Sequence, residues 1–178
     1  MTGPLTNSFA GTVCAIAVLT ALGGCAVIQP PSPPTPTRTP GEPTIAEVKA
    51  GVQRREHQIA DLVPAELVDR TRSLDEGSFL SCADGRQSWT GRTWVYLHDA
   101  DQVRPAVEMI RRALVEAGDG VVSIRTDAAG DRGVTLTLPH DEQYLIGPGP
   151  DSDPTAIWID SFSRCVVLPG GVLPGDSY

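Results

Sequence analysis

Apolar and polar positions follow three successive patterns along the chain. Residues 9–22, FAGTVCAIAVLTAL, form an uncharged apolar run. It is short of the roughly 20 residues a bilayer span needs and has the length of a secretory h-region. Residues 30–43, PPSPPTPTRTPGEP, carry seven prolines and no hydrophobic period. Proline fixes φ and donates no hydrogen bond, so this segment should be an extended polyproline II spacer, with a reach on the order of 50 Å when counted from Cys25 at ~3.1 Å per residue. Beyond it, helical and strand periods begin.

Thr44 and Glu47 have the spacing of a capping box, and Ile45, Val48, Val52, Ile59, Leu62 and Val63 then recur at helical intervals. A helix over about 45–63 follows, with Arg54, Arg55 and Glu56 on its wet side, and Pro64 ends it or starts a further turn through Leu67 and Val68. The stretch DEGSFLSCADGRQ reads as turns and carries Cys82. Trp89 to His98 has the β-branched and aromatic content of a strand, with Gly91 as the place for a bulge. Asp99 or Asp101 can cap a second helix with Val103, Val107, Ile110 and Leu114 as its stripe; Pro105 falls in its first turn, and Gly118 and Gly120 stop it. Strands at 121–126 and 134–138 flank a DAAGDRG hairpin loop. A short edge strand over 143–146, a strand over 156–160, a tight turn at 161–164 and a closing strand over 165–168 complete the pattern. The sum is an α+β fold: a two-layer domain over 44–170 with a mainly antiparallel sheet, helices on one face, and a flexible C-terminal tail at 171–178.

The end of the first apolar run changes the picture. Leu22-Gly23-Gly24-Cys25 resembles a bacterial lipobox, in which small residues give a signal peptidase access and the cysteine thiol takes a diacylglycerol. The resemblance implies a signal peptide over 1–24, lipidation of Cys25, and a lipidated Pro/Thr-rich tether over 25–43. Met1 to Ser8 departs from it by having no Lys or Arg. A core helix with a buried cysteine is the competing account, but the proline tract leaves nothing nearby for it to pack on. Two acyl chains on one cysteine anchor firmly, at ~0.8 kcal/mol per buried methylene. The resulting expectation is a cell-membrane protein, lipid-anchored on the extracytoplasmic face.

That address also constrains the remaining cysteines. With Cys14 removed and Cys25 lipidated, Cys82 and Cys165 are left in an oxidising compartment, either bridged to each other or as two separate buried thiols. A bridge over that loop would disfavour the unfolded chain by roughly 4–5 kcal/mol.

The 178 residues carry a formal charge of −8, all charged groups lying after Cys25. This argues against nucleic acid and against a polybasic membrane patch. The basic residues are Lys49 and thirteen arginines. The layout of lipobox cysteine, Pro/Thr spacer, amphipathic helix, cysteine before the sheet and a second cysteine in SFSRCVVL resembles small lipoproteins of actinobacteria, mycobacterial LppA-like proteins among them. That resemblance implies no established activity.

Chemistry is sparse. No nucleophile elbow, P-loop, dinucleotide loop, zincin or Cys-x-x-Cys motif is present, and prolines interrupt Gly147 and Gly149. His140, Asp141 and Glu142, with Asp151 and Asp153, are weak metal candidates that read more simply as solvated loop carboxylates. His98, Asp99 and Asp160 could form an acid–base set, but His98 also reads as a sheet-edge residue and Asp99 as a cap. The expectation is therefore no catalysis and no cofactor. Among the aromatics, Trp94 and Trp158 are expected to fill the core, with Trp89, Tyr96 and Tyr144 as the alternative binding surface for an envelope protein or a glycan. A binding or scaffolding role follows. The alternative, a carrier for a small apolar ligand or lipid, needs a helix–sheet pocket of at least about 300 Å³; an envelope hydrolase lacks its residues.

Overall fold

The computed structural model describes residues 37–83, 85–126, 130, 132–170, 172 and 175–178. The apolar run, Cys14 and Cys25 lie outside them. Among the described residues no helix is long and apolar enough to cross a membrane.

The first helix, α1, spans Ile45–Ala60, and its capping box forms as the sequence predicts: Glu47 N–H donates to Thr44 Oγ1 at 3.3 Å, and Thr44 N–H donates to the Glu47 carboxylate at 2.8 Å. After a 3-10 turn at Ala65–Leu67 the chain makes β1 (Val68–Ser73), β2 (Ser78–Ser81) and β3 (Gln87–Leu97). Helix α2 (Val103–Ala117) follows and ends on Gly118, whose φ of 68° is the left-handed cap that glycine adopts freely. Strands β4 (Val121–Thr126), β5 (Arg132–Thr137), β6 (Gln143–Pro148) and β7 (Ala156–Phe162) complete a seven-stranded antiparallel sheet of order β1-β3-β7-β6-β5-β4. Strand β2 pairs with β3 on the same edge as β1, so the two lie end to end along its eleven residues.

Both helices pack on one face of the sheet. Val52 and Ile59 of α1 and Ala106, Ile110 and Leu114 of α2 are buried with Val95, Leu136, Ile146, Ile157 and Ile159 in one hydrophobic cluster. Cys82 and Cys165 form a disulfide with Cα atoms 6.3 Å apart, tying the chain after β7 to the β2–β3 turn.

Several local expectations are corrected. Strand β2 occupies a stretch read as turns, and β1 one to which no strand was assigned, because VDRTRS and SFLS sit on an edge and need little apolar alternation. Strand β6 is not an edge strand but runs between β5 and β7, and β7 continues through Ser161 and Phe162 where a turn was expected. No closing strand forms over 165–168; Val166 makes a single bridge to Gln87. Gly91 is in unbroken register with Ser161, so it marks no bulge. A Cβ there would lie 2.6 Å from the Trp89 ring and 2.7 Å from Glu56 Oε1, so glycine serves close packing. Leu62, placed on the buried stripe by sequence, is 36% exposed. Tyr178 does not hang loose as a tail residue: it exchanges backbone hydrogen bonds with Gly77, and its carbonyl accepts from Trp89 Nε1 at 3.0 Å.

Candidate functional site

Alternation along β3 sorts its side chains onto two faces. Trp89, Thr93, Val95 and Leu97 are buried towards the helices, whereas Arg92, Trp94 and Tyr96 point to the other face and are half-buried. In β7 the same rule buries Ile157, Ile159 and Ser161 and leaves Trp158, Asp160 and Phe162 half-covered. Among the described residues, no helix covers this second face.

Register sets the pattern on it. Arg72 pairs with Trp94, Trp94 with Trp158, Trp158 with Gly147, and Gly133 with Arg125, which gives one row of side chains across the sheet. Guanidinium groups interleave with the rings. Arg70 lies 3.9 Å from the centroid of Tyr96, Arg72 lies 5.0 Å from that of Trp94, and Arg92 lies 4.1 Å from Trp158 and 5.8 Å from Trp94. The guanidinium of Arg125 rests against the backbone of two glycines: a Cβ on Gly133 would be 3.0 Å from its Cζ, and one on Gly147 would be 3.1 Å from its Nη2.

Ion pairing on this face is uneven. Arg92 bonds Asp160 across the β3–β7 pair, and Arg70 bonds the adjacent Asp69 at 2.7 Å. Neither Arg72 nor Arg125 has a carboxylate within 4 Å among the described residues. The Nε of Arg125 and the Nε1 of Trp158 are buried without an acceptor among the described residues. Beside the row, a cleft of about 450 Å³ opens between β2 and β7, lined by Leu80, Thr90, Arg92, Asp160 and Phe162 among others.

The helix side holds two further features. Glu56, expected on the wet face of α1, is fully buried. Its carboxyl accepts from Thr93 Oγ1 at 2.7 Å and from Ser161 Oγ, while Ser73 lies 2.8 Å behind Thr93 and the Gly91 N–H donates to Ser161 Oγ at 3.2 Å. Burial pushes the Glu56 pKa up, and the two hydroxyls oppose it. Helical phase, four residues after Val52 and three before Ile59, is the signal in the sequence that points Glu56 inward against its charge. Separately, a groove of about 730 Å³ runs between α2 and strands β4 and β5, with Val107, Ile124 and Val134 as its floor and Arg104, Arg111 and Arg132 at its rim. Within that rim Arg111 holds Glu108 at 2.6 and 2.9 Å, which lowers the Glu108 pKa.

The expected aromatic roles are thus exchanged. Trp89 and Tyr144 are fully buried and offer no surface; burial raises the Tyr144 pKa, and its hydroxyl donates to Glu142 at 2.6 Å. Trp94 and Trp158 do not fill the core but stand on the open face with Tyr96. The metal candidates do not converge: His140 and Asp141 occupy a left-handed turn, Glu142 is taken by Tyr144, and no group of three such ligands exists among the described residues. His98 Nδ1 is 4.0 Å from Asp69, Asp99 accepts from the Asp101 N–H as a cap, and Asp160 is held by Arg92, so these three make no acid–base set.

No protein-family model and no curated protein matches the chain. A similar solved structure is that of a DUF4853 family protein from Actinomyces odontolyticus, at 14% identity and a TM-score of 0.42, covering 79% of this chain and 77% of the other. At those values the likeness carries no functional argument.

Proposed function

We propose that the protein is a lipid-anchored component of the cell envelope, held outside the cytoplasm through Cys25, whose folded domain docks a partner on the open face of its sheet without catalysis. The observation that carries this reading is the asymmetry of the sheet. One face is closed by two helices, while the other carries Trp94, Trp158, Tyr96 and four arginines with no helix above them among the described residues. Aromatic and arginine side chains are the types enriched at protein interfaces. The test is photo-crosslinking in native membranes from a benzoylphenylalanine at Leu145, on the open face beside Asp160, with Arg112 on the outer side of α2 as control. A discrete adduct from Leu145 alone supports the reading, and adducts from Arg112 alone overturn it. Incorporation of labelled palmitate into the wild type and not into Cys25→Ser tests the anchor.

The groove between α2 and β4 supports a second reading, a carrier for a small amphiphile, since about 730 Å³ exceeds what such a ligand needs. Native mass spectrometry of the full chain finding a bound lipid lost on Val107→Arg would favour it.

A further inference from the structure

We infer that what docks on the open face is a carboxylate-rich segment of a partner protein, about seven residues in extended form. This rests on the docking reading above and adds the chemistry of the partner.

Charge separates this face from the rest of the molecule. The chain carries −8, yet the open face presents Arg70, Arg72, Arg92 and Arg125 against two carboxylates from described strand positions, Asp69 at the irregularity in β1 and Asp160. After the pairs Arg70–Asp69 and Arg92–Asp160 are counted, Arg72 and Arg125, at the two ends of the row, have no carboxylate partner among the described residues.

Stacking on Trp94 fixes how the charge of Arg72 is offered, whereas Arg125 is held against the backbone of Gly133 and Gly147. A guanidinium lying on an aromatic face keeps its N–H donors in plane, where they meet carboxylates two at a time. The same stacking covers ring faces that a neutral sugar would need, which disfavours an uncharged glycan. From Arg72 on β1 to Arg125 on β4 the row crosses five strand spacings of ~4.8 Å, about 24 Å in all. That exceeds any single small anion and equals about seven extended residues at ~3.3 Å each. An anionic bilayer would also face the strongly negative remainder of the domain. A narrow segment meets chiefly the local arginines, because charges beyond ~8 Å are screened at physiological salt.

The experiment uses the full chain in nonionic detergent, with fluorescein-labelled octaglutamate followed by anisotropy. Binding is expected that weakens with added salt, falls at least about 30-fold in Arg72→Glu/Arg125→Glu, and stays within about 2-fold in Arg104→Glu/Arg132→Glu on the helix side. Arg72→Lys/Arg125→Lys, which keeps the charge without the fork, is expected to fall in between; it carries the test if the glutamate variant fails to melt cooperatively. No binding to octaglutamate, or equal loss in both charge-reversal variants, overturns the inference. So does binding to phosphatidylglycerol vesicles with the same dependence on Arg72 and Arg125, which would assign the face to a membrane. A Leu145 adduct with a partner peptide lacking Asp and Glu leaves the docking reading standing and overturns this one. Absence of any Leu145 adduct overturns the docking reading itself.

Discussion

Trp89 and Trp94 lie five residues apart on one strand and have opposite fates. Trp89 is fully buried between α1 and the sheet, its indole N–H bonded to the carbonyl of Tyr178 and its ring approached by Lys49 at 5.8 Å. Trp94 stands half-exposed between Arg72 and Arg92. An odd separation in a strand always divides a pair between faces; which ring becomes structure and which becomes surface depends on where the helices land. A buried indole contributes to stability, whereas an uncovered one flanked by cations is available for recognition.

Substitutions test that division most severely at the two tryptophans. Trp89→Ala should cost about 3–5 kcal/mol in urea unfolding, through lost burial and a cavity, and Trp94→Ala under about 1 kcal/mol; similar costs would refute the two-face description. Glycines give the next contrast. Gly91→Ala drives a methyl against Trp89 and Glu56 and should cost about 1–3 kcal/mol, while Gly147→Ala meets the movable end of Arg125 and should cost about 0.5 kcal/mol or less.

Titration separates the faces by a smaller effect. Glu56 holds its proton more tightly folded than unfolded, so its contribution is fully present below the ordinary value of 4.5 and declines as pH rises from there towards the folded pKa. Denaturation midpoints of the wild type should fall over that range, and those of Glu56→Gln should not. The smallest effect belongs to the open face: Arg92→Ala should change stability by less than about 1 kcal/mol, diminishing with salt, because its pair with Asp160 is partly solvated.

How much of this was legible depends on whether a residue's type agreed with its place. Helix α2, the Thr44 cap, the Gly118 stop and the body of β3 were readable because period and punctuation coincide there. The pairing of Cys82 with Cys165 followed once the other two cysteines had been given fates. Strands β1 and β2 were hidden because an edge supported by backbone pairing and arginine stacking needs no apolar alternation. Glu56 was hidden because its charge argued for solvent against a phase that put it inside, and three hydroxyl-bearing residues, Ser73, Thr93 and Ser161, build the polar pocket that tolerates it. The open face was hidden because both faces of β3 carry tryptophan, and only the packing of α1 distinguishes them.

The junction just before α1 has a mechanical consequence. Glu42 is paired with Arg86 in the β2–β3 turn, four residues from Cys82, and Cys82 is bolted to the chain beyond β7. Tension arriving along the chain ahead of Thr44 would therefore load the Glu42–Arg86 pair before the first turn of α1. Such a pair is weak and yields first, after which α1 takes the load while the strands from β3 to β7 stay inside a covalently closed loop.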